Sequence, residues 1–497
     1  MSNNFGLYFG NSTASIAQFR EDGKVEILAN EAGERVTAAV VILNSKEQVV
    51  GSVAGATSYS LAPLTVRNNK MLLDSTLTAE EISSCRANSQ VKIEGDIFDD
   101  LTYNIFETDK KPLVYTPEQV ATLIFQKLYG IGLGATPGQK SLNCVLCVPR
   151  HWNNESRDIV RRAATTAGWV VRQIINEPTA ALLAYKIGFE KPPVDSLVVV
   201  YRLGGVSCDA TVLKVMCGFQ AILSHVRHCD VGGKDIVKSL TDHLAEEFKR
   251  KFHLEPSESR KSIWKLKIAA SGILHTLSTL PSCSRFIESV CDGIDFNVTV
   301  SRARLDALIT PLVPKFTAPI SEALRDAGVD SSDVSKVVLC GGALKIPKLK
   351  SVVASFFSCE SCSSFNPDEV YATGAAQQAG LLTGLPNKAD LSSPTVQIPF
   401  LNEPITLKVN EKEVRIEKNY LPTSDYFTME LDSSSVTMKA VQNRQDEQLQ
   451  GEASMEFENR PKEVEFHVKV LLNDEIHVSA VDTVTKDIYK ASLKLTR

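Results

Sequence analysis

The chain has 497 residues, of which 43% are apolar and 23% charged, and its formal net charge at pH 7 is −5. A chain of this length is expected to fold as two or three domains, and its ordinary, slightly acidic composition argues against DNA binding driven by overall charge. The N-terminal segment MSNNFGLYF lacks the basic and apolar regions of a secretory signal, and no stretch reaches the roughly 18 apolar residues of a membrane span, so a cytosolic protein without a membrane partner is expected.

The first predicted element is a strand, a glycine turn and a second strand at residues 5–19, FGLYFGNSTASIAQF. Gly10 allows the backbone to approach an anion closely, and the N–H groups of Asn11, Ser12 and Thr13 can point at a phosphate. The loop carries no carboxylate, whereas phosphoryl transfer almost always uses a metal ion held by an acid.

The next part of the chain alternates helices and strands. Thr116-Pro-Glu-Gln is a capping box with proline at the first helical position, which predicts a helix from that point. Residues 142–149 (LNCVLCVP) predict a buried strand, residues 153–168 an amphipathic helix, and residues 170–175 a strand followed by another helix. This alternation indicates an α/β architecture with mostly covered sheets.

The number and spacing of the cysteines predict neither disulfides nor a metal site in a reducing compartment. The chain has 11 cysteines, an odd number. In a reducing compartment, cysteines occur more often as buried small apolar residues than in disulfides. Cys144 and Cys147 are expected on opposite faces of a strand, and Cys359 and Cys362 have no second pair at zinc-finger spacing.

The plan of the first strands is repeated about 190 residues later. Residues 197–213, LVVVYRLGGVSCDATVL, again predict strand, glycine turn and strand, with Gly204, Gly205, Val206 and Ser207 in the turn. The repeat predicts two similar lobes that face each other across a cleft, each with one phosphate loop. A later short strand, residues 337–339, ends in Cys-Gly-Gly.

The composition and the spacing of apolar residues change after residue 384. Residues 385–394, LPNKADLSSP, predict a polar linker, and from residue 395 onward apolar residues alternate with polar ones. The alternating residues are Ile405, Leu407, Val409, Val464, Phe466, Val468, Val470, Ile476, Val478 and Ala480. This period of two predicts an antiparallel β domain up to residue 497, with no helical lid expected after its last strand.

An ordered series of motifs resembles the seventy-kilodalton heat-shock chaperones, the DnaK family. The motifs are IINEPTAALLAY (174–185), RLGGVSCDA (202–210), DVGGKD (230–235), DGIDFNVTVSRARLDAL (292–308), VVLCGGALKIPKL (337–349), FNPDEVYATGAA (365–376) and VLLNDEIHVSAVDTVTKD (470–487). The resemblance implies an actin-like two-lobed nucleotide-binding domain over residues 1–384, followed by a β-sandwich of the peptide-binding type over residues 395–497. Its lobe I covers about 1–190, its lobe II about 191–365, and a return helix extends to 384.

The resemblance also assigns roles to matching positions. Lys70 falls on the family's lysine near the terminal phosphate, Glu177 on its metal-water glutamate, and Ser271, Leu274 and Lys345 on its ribose and adenine contacts. The other candidate nucleotide-binding residues are Gly10, Asn11, Ser12, Thr13, Gly204, Gly205, Val206, Ser207, Gly232, Gly233, Ser278, Gly341, Gly342, Ala343 and Asp368. Read without the family, Lys70 fits far better as a solvated surface lysine, and Glu177 fits equally well as the first residue of a helix.

Two departures from the family pattern remove the metal-holding acids. Tyr8 and Arg202 stand where the family has an aspartate in each phosphate loop. Replacing a carboxylate by a guanidinium roughly 5 Å from a metal ion reverses a term of about 3 kcal/mol at an effective dielectric of ~20. Asp209 survives, but one acid does not restore octahedral geometry, so magnesium is not expected and ATP hydrolysis should be very slow or absent.

Further departures concern affinity and coupling between domains. Ser271 and Leu274 replace charged ribose contacts, each of which is typically worth ~1.5–3 kcal/mol, so ATP or ADP is expected to bind weakly or not at all. Lys345 replaces an arginine and cannot stack as a planar guanidinium does. The polar linker replaces the family's apolar one, so nucleotide-driven clamping of a client is not expected.

The chain combines lost acids, an abbreviated sandwich and no lid, and in this it is similar to the lidless heat-shock-70-like subunit of the ribosome-associated complex. The first hypothesis is therefore a co-chaperone that pairs with a zuotin-type J-domain protein, and through it with the ribosome, to help a second heat-shock-70 chaperone fold nascent or unfolded polypeptides. One alternative is a working ATP-dependent chaperone that uses other groups in place of the acids. Another, an actin-like or sugar-kinase relative, leaves the C-terminal β domain unexplained.

Overall fold

The computed structural model describes residues 3–51, 59–96, 98–106, 111–139, 141–188, 196–216, 219–229, 231–382, 405–416, 425–444, 447–458, 460–470 and 475–496. The linker predicted at residues 385–394 lies outside the described residues, as does the predicted start of the β domain at residue 395. Within the described ranges, no helix is both long and apolar enough to cross a membrane.

Lobe I contains twelve of the described strands and four of the described α-helices. The strands are β1 (Asn4–Phe9), β2 (Thr13–Phe19), β3 (Val25–Ile27), β4 (Thr37–Ala38), β5 (Val41–Leu43), β6 (Gln48–Val50), β7 (Thr65–Val66), β8 (Lys92–Glu94), β9 (Thr102–Ile105), β10 (Leu113–Tyr115), β11 (Leu142–Val148) and β12 (Trp169–Asn176). The helices are α1 (Ala79–Asn88), α2 (Pro117–Ala135), α3 (Asn154–Thr166) and α4 (Glu177–Ala184).

The main sheet of lobe I has the order β12-β11-β1-β2-β3. Strand β1 is antiparallel to β2, to which a tight turn joins it, and parallel to β11, to which the chain returns through helices. The predicted capping box is confirmed, because Thr116 Oγ1 accepts a hydrogen bond from the Gln119 backbone N–H while the Gln119 side chain accepts one from the Thr116 backbone N–H.

Lobe II repeats this sheet plan. Its strands are β13 (Ser196–Leu203), β14 (Ser207–Met216), β15 (Phe219–Cys229), β16 (Ser282–Cys291), β17 (Ile294–Ser301), β18 (Lys336–Cys340) and β19 (Ser361–Cys362). Its helices are α5 (Gly233–Phe252), α6 (Arg260–Leu277), α7 (Arg302–Ile309), α8 (Val313–Ala327) and α9 (Pro347–Ala354). The sheet order β15-β14-β13-β18-β19 again joins an antiparallel meander to parallel strands, as the repeat in the sequence predicted.

Helix α10 (Val370–Leu382) follows lobe II in the chain and packs on β1, β2 and α4 of lobe I. It is almost completely buried, and together with the central strands of both sheets it forms one apolar cluster. Cys147 belongs to this cluster, whereas Cys144 lies in the other core of lobe I, so the two thiols do lie on opposite faces of β11. The ten cysteines within the described ranges are free.

The C-terminal part is a sandwich of two four-stranded antiparallel sheets. Its strands are β20 (Ile405–Val409), β21 (Lys412–Ile416), β22 (Asp425–Glu430), β23 (Ser435–Arg444), β24 (Glu447–Glu456), β25 (Glu463–Val470), β26 (Glu475–Asp482) and β27 (Ile488–Lys494). The sheet orders are β21-β20-β23-β24 and β22-β25-β26-β27. The predicted alternation is confirmed, since the apolar members of β20, β25 and β26 form the core between the sheets. The fold is thus an actin-like two-lobed α/β domain followed by a β-sandwich.

The sandwich rests on the two-lobed domain. Strand β15, an edge strand of the lobe II sheet, is covered by β25 and β26, and Val481 of the sandwich is buried in the core of lobe II. On the lobe I side, Arg150 Nη2 donates to Glu465 Oε1 at 2.7 Å, and both side chains are largely buried. Covering an edge strand removes a row of unpaired backbone groups, so this contact protects the sheet as well as joining the domains.

Candidate nucleotide cleft

A cavity of about 390 Å³ opens between the two lobes. Most of the candidate nucleotide-binding residues lie on its wall, namely Gly10, Asn11, Ser12, Thr13, Gly204, Gly205, Val206, Gly233, Ser271, Leu274, Ser278, Gly341, Gly342, Ala343, Lys345 and Asp368, together with Tyr8 and Arg202. Lys70, Ser207 and Gly232 do not line this cavity. The fold therefore brings residues from two distant glycine turns, helix α6 and the loop after β18 to one cleft.

The two predicted phosphate loops touch each other across the cleft. The loop between β1 and β2 closes with a hydrogen bond from Gly10 N to Thr13 O, and the loop between β13 and β14 with one from Gly204 N to Ser207 O. A side chain at Gly205 would collide with Ser12 Oγ, because an added Cβ would lie 1.9 Å from that oxygen. A larger residue at position 205 would therefore force the Ser12 hydroxyl to turn away from the opposite loop.

The loop beside the predicted adenine position also needs glycine. Gly341 has φ +95°, and an added Cβ would lie 2.3 Å from the carbonyl oxygen of Leu203. The strands β13 and β18 are parallel neighbours, so they end side by side, and the loops that follow them face the same cavity. This is the edge of an open α/β sheet at which ligands generally bind.

At the inner end of the cleft, four charged side chains neutralise one another. Arg202 forms ion pairs with Asp209 and with Glu177, the second at 3.3 Å from Nε to Oε2. Glu177 also accepts a hydrogen bond from Lys70 Nζ at 2.8 Å, and Arg202 Nη2 donates to Ser207 Oγ at 3.0 Å. All four charged residues are buried, and we call them the charge quartet.

Burial and the mutual attraction of these charges both act on their pKa values. Burial raises the pKa of Glu177, but Lys70 and Arg202 outweigh it and lower that pKa to about 2. For Arg202, burial is outweighed by Asp209 and Glu177, which raise its pKa further. The quartet combines two cations with two carboxylates, so its formal charge is zero, and removing one member leaves a buried charge without its partner.

Tyr8 fills the position of the first lost acid with an aromatic ring. The ring lies 5.0 Å from that of Tyr371 on α10, and Lys70 Nζ lies 4.8 Å from its centroid. Lys70 also lies 5.6 Å from the ring of Trp152. Instead of being solvated at the surface, Lys70 is buried between an acid and two aromatic rings, which stabilise its charge.

The residues present do not fit a magnesium ion. Mg²⁺ requires oxygen ligands in near-ideal octahedral geometry, usually carboxylates and water. Here the two remaining acids, Glu177 and Asp209, are both engaged by the guanidinium of Arg202. Across the described ranges, no group of three or more His, Cys, Asp or Glu residues is arranged to hold a metal ion.

A second polar cluster joins the lobes just behind the quartet. His151 Nε2 of lobe I lies 3.0 Å from Asp74 Oδ2 and 2.7 Å from Arg227 Nη1 of lobe II. Burial raises the pKa of Asp74, but hydrogen bonds from His151 and Thr76 outweigh it and lower that pKa to about 2. The cleft is thus closed at its base by ion pairs at two successive levels.

The outer end of the cleft has a mixed wall. Ser271, Leu274 and Ser278 follow one face of α6, and the ammonium of Lys345 pairs with Asp368 at 2.5 Å. The wall also includes residues that the sequence analysis missed, namely Arg67, Lys234, Val237, Trp264, Lys267 and Ile346. The position of Lys267 could have been predicted from the sequence, because it precedes Ser271 by four positions and so lies on the same face of the helix.

The chain was compared with known proteins. The family model described as "Hsp70 protein" matches residues 4–469. Heat shock 70 kDa protein 14 of Danio rerio is 36% identical over 404 residues, which cover 81% of this chain and 79% of the relative. The proteins of the same name from Xenopus tropicalis and Mus musculus are 35% and 36% identical over 398 and 381 residues, covering 79% and 76% of this chain and 77% and 74% of the relatives.

Proposed function

The chain belongs to the Hsp70 family of chaperones, and from that premise we propose that it is a co-chaperone subunit that has lost ATP hydrolysis. In this proposal it pairs with a zuotin-type J-domain protein at the ribosome and helps a second Hsp70 chaperone to fold nascent or unfolded polypeptides. The charge quartet carries the first half of the proposal.

The quartet argues against hydrolysis through its electrostatics. Phosphoryl transfer relies on positioning and on cations that neutralise the charge developing on the phosphate. In this chain Arg202 forms ion pairs with Glu177 and Asp209, and Lys70 with Glu177, so the charges of these groups already offset one another. Freeing them for a metal and a phosphate requires breaking a buried network, which is strongly unfavourable.

The contact between the domains supports the second half of the proposal. A conventional chaperone cycle needs a β domain that docks and leaves as the nucleotide changes. Here the sandwich covers the edge strand β15, buries Val481 in lobe II and pairs Glu465 with Arg150 of lobe I. We infer that the two domains act as one platform for a J-domain protein, which is the general partner class of the family.

One observation favours the alternative of an active ATP-dependent chaperone. Lys70, Glu177 and Asp209, which match positions of the family's catalytic centre, lie together in one buried network. Their engagement with Arg202 weighs against this alternative. The family match extends to residue 469, well into the sandwich, which weighs against an actin-like or sugar-kinase relative.

A single-turnover assay tests the proposal. The purified chain, in excess over labelled ATP, is incubated with magnesium and potassium, with and without a J-domain protein, beside a conventional Hsp70. We expect no hydrolysis by this chain above the protein-free rate, whereas the chain together with its J-domain protein should stimulate hydrolysis by the conventional Hsp70. Hydrolysis by this chain that rises with the J-domain protein would establish the alternative.

A further inference from the structure

Strand β15 turns His225 and Arg227 toward lobe I. Because residues two apart on a strand share a face, both side chains lie on the same side of β15. Arg227 Nη1 lies 2.7 Å from His151 Nε2 of lobe I, and the rings of His225 and His151 stack with 6.5 Å between their centroids and 14° between their planes. A pair of imidazole rings therefore spans the boundary between the lobes. Histidine is the side chain whose charge ordinarily changes between about pH 5 and 8, so this boundary can respond to pH.

The hydrogen bonds of His225 suit a neutral ring. Its Nδ1 lies 2.9 Å from Thr211 Oγ1 on the neighbouring strand β14. Its Nε2 is buried and has no hydrogen-bond partner among the residues that the structure describes. A protonated imidazole has two N–H donors, so protonation in the closed cleft leaves a buried N–H without an acceptor, which is unfavourable.

The surroundings of His225 also oppose a positive charge on its ring. Burial is the largest cause that lowers its pKa, and Arg150, His151 and Arg202 lower it further, from the ordinary 6.5 to about 3. Glu177 acts in the opposite direction, but its charge is already offset by Lys70 and Arg202. The ring is therefore neutral while the lobes are closed.

The acids that face this region are engaged by other groups. Glu177 and Asp209 pair with Arg202, Asp74 pairs with His151 and Arg227, and Glu465 of the sandwich pairs with Arg150 and His467. Within the described part of the chain, no acid forms an ion pair with His225. Asp74 and Glu177 also stay charged at pH 5, because their pKa values are about 2. A proton on His225 therefore meets cations and finds no acid to pair with.

We propose that His225 is a pH-sensitive switch of the cleft, whose protonation drives lobe II away from lobe I. In the open form the ring is hydrated and binds a proton with the pKa of an ordinary histidine, about 6.5. The open form thus binds more protons than the closed form between about pH 6.5 and 3. Closure is fully stable above about pH 6.5 and weakens by about ten-fold for each pH unit below it. This inference goes beyond the proposed function, since it holds whether or not the cleft takes a ligand.

Hydrogen exchange of the full chain and of its His225→Asn variant, at pH 7.5 and at pH 5.0, tests this. Both proteins are measured at the same pH, so the chemical exchange rate cancels in the comparison. At pH 7.5 we expect equal rates. At pH 5.0 the facing segments, residues 150–153 of lobe I and 227–229 of lobe II, should exchange about thirty-fold faster in the unmodified chain than in the variant. The variant retains His151 and Asp209, so any titration of their own cancels as well.

His253→Asn is the matched control. His253 is exposed at the end of α5, and its φ of +58° is a backbone conformation that asparagine readily adopts. This variant should exchange as the unmodified chain does at both pH values. His225→Gln, which also removes the titrating ring, takes the place of His225→Asn if the asparagine variant does not fold.

The pattern of exchange along the chain decides between a switch and a merely structural histidine. Faster exchange at pH 5.0 that is confined to the facing segments supports the proposal. Equal exchange in the unmodified chain and in His225→Asn at pH 5.0 overturns it. Acceleration that appears in β25 and β26 overturns it too, because the histidine then acts on the sandwich. Acceleration that extends to the buried strand β1 reports global unfolding and gives His225 only a structural role.

Discussion

Arg202 and Asp209 occupy directly opposed positions on strands β13 and β14, and their side chains form an ion pair at the inner end of the cleft. The pairing follows from the tight hairpin between the strands, which sets Leu203 against Cys208 and the next pair outward together. Arg202 also reaches Glu177, so one guanidinium from lobe II binds an acid from each lobe. Arg202 thus links the two lobes across the cleft.

Truncating Arg202 should destabilise the protein. Arg202→Met leaves Asp209 and Glu177 buried with only Lys70 to offset them, and breaking a buried pair costs about 3–5 kcal/mol. The free energy of unfolding in urea measures this loss. Lys92→Met, which removes an exposed pair with Glu94, should change it by no more than about 0.5 kcal/mol. If both variants unfold alike, the quartet does not stabilise the closed cleft.

Restoring the family's acids should restore magnesium binding but not ATP hydrolysis. The double variant Tyr8→Asp, Arg202→Asp removes the guanidinium from Glu177 and Asp209 and adds two carboxylates, so magnesium affinity should rise. Turnover should stay low, because Ser271 and Leu274 still lack the charged ribose contacts. Magnesium titration and single-turnover hydrolysis measure the two properties, and full turnover in this double variant would show that the ribose contacts matter less than we propose.

Asp74 should make stability depend on pH at the acid end. Its pKa falls from the ordinary 3.8 to about 2 in the folded protein, so its contribution is complete above about pH 4 and is lost as the pH falls through about 2. The shift corresponds to about 2 kcal/mol at pH 7. Asp74→Asn should lose that amount at pH 7 and little near pH 2, as measured by urea unfolding at several pH values. The exposed Asp242→Asn is the control, and a difference that does not change with pH would contradict the assignment.

Arg150 and Glu465 should hold the sandwich on the two-lobed domain. Burial raises the pKa of Glu465, but His467 and Arg150 lower it overall, as expected for a carboxylate held in its charged form. Arg150→Glu places two acids together, and hydrogen exchange of strand β15 should speed up about ten-fold or more. The charge-swapped pair Arg150→Glu, Glu465→Arg should recover part of the protection. Lys408→Glu, in an exposed pair of the sandwich, should have no effect on β15.

Local signals in the sequence predicted much of the fold. The capping box at Thr116, the strand at residues 142–149 and the alternating residues of β20, β25 and β26 all became the expected elements, because hydrophobic periodicity and caps act over a few residues. Strand β15 (Phe219–Cys229) pairs with β14 along its length and lies beneath the sandwich, and such long-range contacts leave no mark on the local sequence.

The site was less predictable than the fold. The glycine loops could be predicted from the sequence, because a loop that passes as close to another backbone as Gly341 does needs glycine. The sequence analysis did not identify the partners of Arg202. The register of the hairpin places Asp209 opposite it, so this partner could have been predicted. Glu177 lies on the other lobe, and only the closed cleft brings it near. Arg67 and Trp264 were missed for the same reason, since they meet across the cleft from positions almost 200 residues apart.

The most direct test of the central claim is a crystal structure of the protein grown with ATP and manganese, examined by anomalous scattering at the manganese edge. Mn²⁺ binds where Mg²⁺ binds and gives a signal that protein atoms do not. We expect no anomalous peak beside Glu177 and Asp209, with the guanidinium of Arg202 still bound to both acids. A strong peak between those acids, with Arg202 turned away, would show that the metal site survives and would contradict the account.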